Sequence, residues 1–148
     1  EIRGTLDFRD THLPEMLEMA RCRLDVKVRT LMMVDSLDMT GADRELIAGN
    51  CADAPEPHIV ITHGTDTMVE TARVLAERVH GKTVVLTGAM IPIAFGSSDG
   101  LFNLGGALAV VQVLPPGVYI TMNGRIFGWD DVRKNPDTGV FEALGSRE

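Results

Sequence analysis

The sequence is poor in several kinds of residue, and each shortage excludes a class of protein. Its two cysteines, Cys22 and Cys51, lack CxxC or zinc-type spacing, which indicates reduced thiols and favours a cytoplasmic protein. No apolar run reaches the roughly 18 residues needed to span a bilayer. The net charge of −7 argues against nucleic acid or an anionic membrane surface as a partner.

Signals for a bound cofactor or metal are also missing. Gly81-Lys82-Thr83 resembles the end of a phosphate-binding loop, but Ala76 stands where that motif needs its first glycine. The predicted order of strand and helix around it is also reversed. His58, His63 and His80 have no metal-ligand spacing, and His63 is expected to hydrogen-bond within its own loop. We therefore predict no cofactor and no metal.

Apolar runs alternate with helical patterns along the chain, which predicts a parallel sheet with crossover helices. A helix entered at Pro14 comes first. Further helices are predicted over Thr40–Ala52, Asp66–Val79 and Asn103–Val113, and strands over Val26–Val34, His58–Thr62, Thr83–Thr87 and Val118–Met122. The predicted fold class is α/β: one three-layer α/β/α domain over residues 1–148, with a mostly parallel, Rossmann-like or flavodoxin-like sheet.

Small and polar residues follow each predicted strand. They are Asp35-Ser36, the segment His63–Asp66, Gly88-Ala89 and Asn123-Gly124. The carboxyl ends of parallel strands share one edge of a sheet, and ligands of open α/β sheets bind there. A ligand site is therefore predicted at this edge.

The segment Thr65-Asp66-Thr67 has two interpretations that spacing alone leaves open. Thr67 and Glu70 have the spacing of a capping box, and Asp66 would suit the positive end of a helix. That interpretation gives Thr65 no role. Alternatively, Thr65 is a reactive hydroxyl whose proton a lysine accepts, with Asp66 orienting the lysine. Lys134 is one of only three lysines and a candidate for this base, although the residues alone favour a solvated loop charge at this position.

Three other polar or aromatic positions have structural interpretations. Ser97-Ser98-Asp99 is expected to form a cap and turn before a helix that starts near Leu101. Tyr119 and Trp129 are expected to be packing residues.

Five motifs occur in one order over most of the chain. They are HGTDT (63–67), TGAM (87–90), SSDGLFNL (97–104), MN (122–123) and DDVRK (130–134). Together they resemble the N-terminal domain of the bacterial L-asparaginase family, the threonine amidohydrolases.

The resemblance implies roles for individual residues. Thr65, Asp66 and Lys134 match the family's catalytic triad of threonine, aspartate and lysine. Asp66 would also bind the α-amino group of the substrate, Ser36 would bind its α-carboxylate, and the backbone carbonyl of Ala89 would receive its side-chain amide. The implied reaction converts L-asparagine to L-aspartate and ammonia through a tetrahedral intermediate and an acyl-enzyme.

Three departures from the family pattern modify that expectation. The family's other threonine, its expected nucleophile, would lie before Glu1. Leu37 stands where the family commonly has a glutamine after the substrate serine. The family's second domain, which supplies a glutamate to a neighbouring subunit, has no counterpart, so a short single-domain form without a C-terminal domain is expected.

The resemblance also implies a homo-oligomer, either a dimer or a tetramer. The small molecule that it would bind is asparagine. Two other functions stay open. One is a catalytically silent amino-acid-binding or regulatory module of the same fold. The other is an asparaginase-like subunit of a tRNA-dependent amidotransferase.

Overall fold

The computed structural model describes residues 2–4, 13–91 and 98–145. In chain order the described elements are β1 (Ile2–Gly4), α1 (Leu13–Met19), β2 (Arg29–Met32), a 3-10 turn (Ser36–Asp38), α2 (Gly41–Asp53), β3 (His58–Thr62), α3 (Met68–Arg78), β4 (Thr83–Thr87), α4 (Gly100–Val110), β5 (Gly117–Met122), β6 (Arg125–Gly128), β7 (Arg133–Lys134) and β8 (Phe141–Glu142). The predicted alternation of strands and helices is confirmed from α1 to β5. None of the described helices is both long enough and apolar enough to cross a membrane.

The central sheet is parallel except at one edge. Its order is β3-β4-β5-β6, with β4 parallel to both neighbours and β6 returning antiparallel to β5. Strands β1 and β2 pair in parallel with each other, and β1 lies beside β3. All five residues of β4 are buried, as expected for a central strand covered on both faces. The mostly parallel sheet is therefore confirmed.

Helices cover both faces of this sheet, which gives the predicted three layers. On one face α2 and α3 pack through residues such as Ile47 and Leu75 against Ile61 and Leu86. On the other face α1 and α4 pack against Val60 and Val85. Neighbouring residues of one strand thus contribute to opposite cores, because side chains alternate along a strand.

The carboxyl end of α2 is held by Lys82, the residue directly before β4. Lys82 Nζ donates to the carbonyl oxygens of Cys51 and Ala52 at 2.9 and 3.2 Å, and also to that of Ala54. The last carbonyls of a helix have no intrahelical partner, so a cation placed there satisfies them. At the other end, Thr40 is the predicted cap and forms a capping box with Asp43.

Several element boundaries differ from those predicted. The strand expected over Val26–Val34 is a strand only at Arg29–Met32; of the three predicted residues before it, Lys27 and Val28 are exposed. Helix α3 begins at Met68, two residues later than predicted, and α4 spans Gly100–Val110 instead of 103–113. Strands β6, β7 and β8 were not predicted, because runs of two to four residues carry too little pattern.

The predicted cap before α4 is only partly right. Ser97 lies outside the described residues, and Ser98 Oγ accepts the Gly100 amide at 2.9 Å as a turn hydroxyl does. Asp99 occupies the cap position but makes no side-chain cap bond to the helix. Tyr119 and Trp129 do pack against the two cores, as predicted. Both cysteines are free, with Cys51 buried and Cys22 half-buried.

Candidate active site

A threonine, an aspartate and a lysine meet at the carboxyl edge of the sheet. Lys134 Nζ donates to Thr65 Oγ1 and to Asp66 Oδ1, each at 2.8 Å. Thr65 is buried, whereas the Lys134 and Asp66 side chains are 21% and 45% exposed. The ammonium group is thus held between a hydroxyl and a carboxylate at the rim. In its amine form, the same lysine is placed to accept the threonine proton.

Two separate parts of the fold bring these groups together. Thr65 and Asp66 lie in the short loop between β3 and α3, and Lys134 lies on β7. Strand β7 pairs with β8, and the pair is tied by a 2.7 Å ion pair between Arg133 and Glu142. The buried Phe141 opposite Lys134 anchors this hairpin to the core. The lysine therefore reaches the loop from a small, anchored hairpin.

The capping box predicted for Thr67 and Glu70 is wrong. Thr67 is the cap residue of α3, but its side chain makes no cap bond there. Instead, Thr67 Oγ1 donates to the carbonyl oxygen of Ser36 at 2.8 Å. A tertiary acceptor has replaced the local one, and the bond joins the α3 start to the loop after β2.

Ser36 lies in that loop, at the position predicted for substrate binding. Asp35 fixes the turn by accepting the Leu37 amide at 3.0 Å. Ser36 is buried, and its Oγ has no hydrogen-bond partner among the described residues. Leaving a buried hydroxyl unpaired costs about 1–3 kcal/mol, so the Ser36 hydroxyl calls for a partner from outside the described residues, a water or a ligand.

Gly88 allows the end of β4 to approach Thr65 closely. A Cβ added at Gly88 would lie 2.3 Å from the backbone oxygen of His63 and 3.4 Å from Thr65 Cγ2. No side chain fits the first distance, so glycine is required by sterics. Ala89 follows directly, and the segment that carries its carbonyl is therefore next to Thr65.

His63 is a buried structural residue of the same loop. Its Nδ1 lies 2.6 Å from the Gly64 carbonyl oxygen, and its Nε2 lies 2.8 Å from Thr71 Oγ1. The predicted bond within the loop is thus present. A carbonyl can only accept, so Nδ1 carries the proton, and Nε2 accepts from the Thr71 hydroxyl. Burial lowers the pKa of His63 to about 4, which keeps the ring neutral at ordinary pH.

Arg44 completes the hydrogen bonds of Thr71 from the other side. Its Nε donates to Thr71 Oγ1 at 3.0 Å, and another guanidinium nitrogen donates to the Met39 carbonyl at 3.2 Å. The guanidinium charge also helps to keep His63 neutral. Within the described ranges no cluster of three or more acidic, histidine or cysteine residues could hold a metal ion.

A polar network that was not predicted joins the segments after β4 and β5 to α4. The Asp99 carboxylate accepts the backbone amides of Met90 and Ile91, each at 3.1 Å. It also accepts the side-chain amides of Asn103 and Asn123, each at 2.9 Å. Burial acts to raise the pKa of Asp99, but the hydrogen bonds outweigh it and hold the pKa below its usual value.

Asn103 extends this network to both neighbouring strands. Its Nδ2 donates to the Gly88 carbonyl oxygen at 2.8 Å, and its Oδ1 accepts the Asn123 backbone amide at 2.8 Å. Asn123 has a positive φ of 51°, a conformation that asparagine tolerates better than most residues. The only sequence signal was that Asp99, Asn103 and Asn123 fall inside two of the motifs, SSDGLFNL and MN.

Comparison with known proteins decides the family. The model of the family described as "Asparaginase, N-terminal" matches residues 4–147, almost the whole chain. The chain belongs to this family. All five predicted site residues fall inside the matched range. The expectation drawn from the five motifs is thereby confirmed at the level of the family.

Individual asparaginases resemble this chain in sequence and in structure. The probable periplasmic L-asparaginase of Haemophilus influenzae is 37% identical over 134 residues, which cover 86% of this chain and 37% of that protein. The L-asparaginase of Thermococcus kodakarensis is 32% identical over 134 residues, covering 85% and 41%. The crystal structure of the probable cytoplasmic L-asparaginase of Campylobacter jejuni superposes with a TM-score of 0.84 at 28% identity, covering 97% and 52%.

The chain spans about two fifths of the length of these curated asparaginases and about half of that solved structure. Within the asparaginase frame, one departure is visible at the site. Leu37, the residue after Ser36, is 69% exposed and offers no polar group. A glutamine there, as expected from the family pattern, would add a hydrogen-bonding amide that this chain lacks.

Proposed function

We propose that this protein hydrolyses L-asparagine to L-aspartate and ammonia with a threonine nucleophile. The observation that carries the proposal is the placement of Lys134 Nζ 2.8 Å from both Thr65 Oγ1 and Asp66 Oδ1. A lysine amine within hydrogen-bond reach can activate a hydroxyl, and Asp66 orients the nitrogen of Lys134 for this role. The asparaginase relatives in sequence and structure support the same substrate.

In the proposed reaction a threonine oxygen attacks the side-chain amide carbon of asparagine. A C–O bond forms, the hydroxyl proton passes to the amine of Lys134, and a tetrahedral intermediate results. Lys134 returns the proton to the amide nitrogen, the C–N bond breaks, and ammonia leaves an acyl-enzyme ester. Water then attacks the ester by the same route and releases aspartate. Thr65 supplies the attacking oxygen in one form of this proposal; in the other it activates the attacking water.

Three further groups would hold the substrate for this attack. The Asp66 carboxylate, already exposed at the rim, suits an α-ammonium group. The buried Ser36 Oγ lacks a partner among the described residues and suits the α-carboxylate. The Ala89 carbonyl, beside Gly88 and Thr65, suits an amide N–H.

Ammonia release from L-asparagine, with L-glutamine alongside, tests the proposal. We expect asparagine turnover by the wild-type protein. Folded protein that binds aspartate in calorimetry but releases no ammonia from either amide would overturn it in favour of a silent amino-acid-binding module. Ammonia released only in the presence of an added amidotransferase partner would favour a subunit of such an enzyme.

We also propose that the protein is a cytoplasmic homo-oligomer. No Asp, Glu, Lys or Arg occurs from residue 100 to 124, and the α4 region exposes Phe102 and Val113 at 65% and 79%. An uncharged segment with exposed apolar side chains is a surface that a second copy of the chain can cover. The cytoplasmic location rests on the two unpaired cysteines and on the likeness to the Campylobacter jejuni protein. Sedimentation equilibrium and cell fractionation test the two statements, and a monomer or a periplasmic protein would overturn them.

A further inference from the structure

The Asp99 carboxylate holds one particular peptide group. Its Oδ2 accepts the N–H of Met90 at 3.1 Å, and its Oδ1 accepts the next N–H, that of Ile91. The Met90 N–H belongs to the same planar peptide unit as the Ala89 carbonyl. In a trans peptide these two groups point in opposite directions, and no cis peptide bond occurs in the described backbone. Fixing the N–H on Asp99 therefore fixes the direction of the Ala89 C=O.

The preceding peptide group is held from the same side. Asn103 Nδ2 donates to the Gly88 carbonyl at 2.8 Å and to Asp99 Oδ2 at 2.9 Å. Asn103 is buried, so these bonds are shielded from water. Both peptide groups that flank the Ala89 Cα are consequently tied to one carboxylate and its amide partner. The strand end beside Thr65 has little freedom to rotate.

The charge of Asp99 also acts on the carbonyl electronically. An N–H that donates to a carboxylate polarises its peptide group, which makes the oxygen of that group a better acceptor. The Ala89 oxygen, on the far side of the peptide from Asp99, would then bind an amide N–H or a departing ammonia more strongly.

We propose that Asp99 is a positioning residue that aims the Ala89 carbonyl at the side-chain amide of the substrate. The inference rests on the proposed function and deepens it, because it names the group that distinguishes an amide substrate from its acid product. Asparagine carries an amide N–H at this point, and aspartate does not. Loss of the Asp99 charge should therefore weaken the binding and turnover of asparagine and leave the binding of aspartate unchanged.

The test compares Asp99→Asn with wild type in three measurements: KM and kcat for asparagine, the inhibition constant of aspartate, and thermal unfolding. We expect kcat/KM for asparagine to fall on the order of 10²-fold, the cost of a misplaced reacting group. The inhibition constant of aspartate should stay at the wild-type value or tighten. Asp43→Asn is the matched control, because it removes the charge of another aspartate that accepts a backbone amide, that of Thr40 at the start of α2. It should remain close to wild type.

Equal losses for asparagine and aspartate in a folded Asp99→Asn protein would show a merely structural role and overturn the inference, as would wild-type kinetics. If Asp99→Asn does not fold, Asp99→Glu is tested in its place. This variant keeps the charge but displaces the carboxylate from the Met90 amide, so kcat/KM for asparagine should again fall while aspartate inhibition is unchanged. Wild-type protein without asparagine turnover would overturn the proposed function itself, and the inference with it.

Discussion

Lys134 follows Thr65 by 69 positions in the chain, yet its ammonium nitrogen lies 2.8 Å from the threonine hydroxyl. The same nitrogen lies 2.8 Å from the carboxylate of Asp66. Such contacts between distant segments need a scaffold to hold them. Here the scaffold is the edge of a parallel sheet on one side and a short hairpin on the other.

Replacing Lys134 should remove activity without removing the fold. Lys134→Met and Thr65→Val should each lower kcat for ammonia release by about 10²–10⁴-fold, the usual contribution of a positioned proton-transfer group. Lys82→Met is the matched control, since Lys82 binds carbonyls at the end of α2 and has no place in the proposed chemistry. It should lose stability and keep kcat. Wild-type rates in both site variants would show that the triad is misassigned.

Gly88→Ala should destabilise the protein and damage the site together. The added methyl would meet the His63 backbone oxygen at 2.3 Å, and backbone must shift to admit it. We expect a loss of about 1–3 kcal/mol in the free energy of unfolding, measured with urea. Gly49→Ala, in α2 with open space around its Cβ position, should be neutral or slightly stabilising. Equal behaviour of the two variants would contradict the steric argument.

His63 should make stability depend on pH on the acid side. Its pKa in the folded protein is about 4, against an ordinary value of 6.5, because burial disfavours the charged ring. Between those values the unfolded chain binds more protons than the folded one, so stability falls as the pH falls from about 6.5 to 4. The full effect is on the order of 3 kcal/mol. Urea unfolding across this range, with His63→Gln for comparison, should give a steeper dependence in wild type; parallel curves would argue against it.

The two cysteines should differ in reactivity. Burial raises the pKa of the Cys51 thiol to about 12, so almost no thiolate forms near neutral pH. Cys22 is half-buried and more accessible. In the folded protein a thiol reagent should label Cys22 first and Cys51 only at the rate of unfolding. Comparison of Cys22→Ser and Cys51→Ser variants assigns each phase, and fast labelling of Cys51 in folded protein would contradict the expectation.

The central strands could be predicted to the residue, and the reason is their burial. Strands β3 and β4 have the predicted bounds, because each has three consecutive apolar residues between polar ends, as expected where both faces of a strand are covered at its centre. The four site segments follow from that, since they lie where the strands stop. The shared position of Thr65, Asp66 and Lys134 came from the motifs, because nothing in local pattern relates residue 134 to residue 65.

What could not be predicted depends on partners from elsewhere in the chain. Thr67 has the local spacing of a capping box, but the Ser36 carbonyl takes its hydroxyl. Asp99 has the local signature of a helix cap, but its carboxylate accepts from four donors, which lie in α4 and in the segments that follow β4 and β5. In both cases a short polar side chain forms hydrogen bonds to a distant segment of the chain and not to the nearby helix start. Sequence spacing records only the local option.

Because Lys134 lies on a short hairpin, we expect activity to be lost under milder conditions than the fold. Its ladder is two residues long, and an exposed ion pair supplies part of what holds it. A segment held by so short a ladder opens at lower free energy than the central sheet of its protein, even where one residue such as Phe141 is anchored in the core. Moderate concentrations of urea or salt should therefore abolish ammonia release while circular dichroism still shows an intact sheet. Activity, which depends on the position of Lys134, would then report local opening of the hairpin. It would be lost before the sheet unfolds and regained after the sheet has refolded.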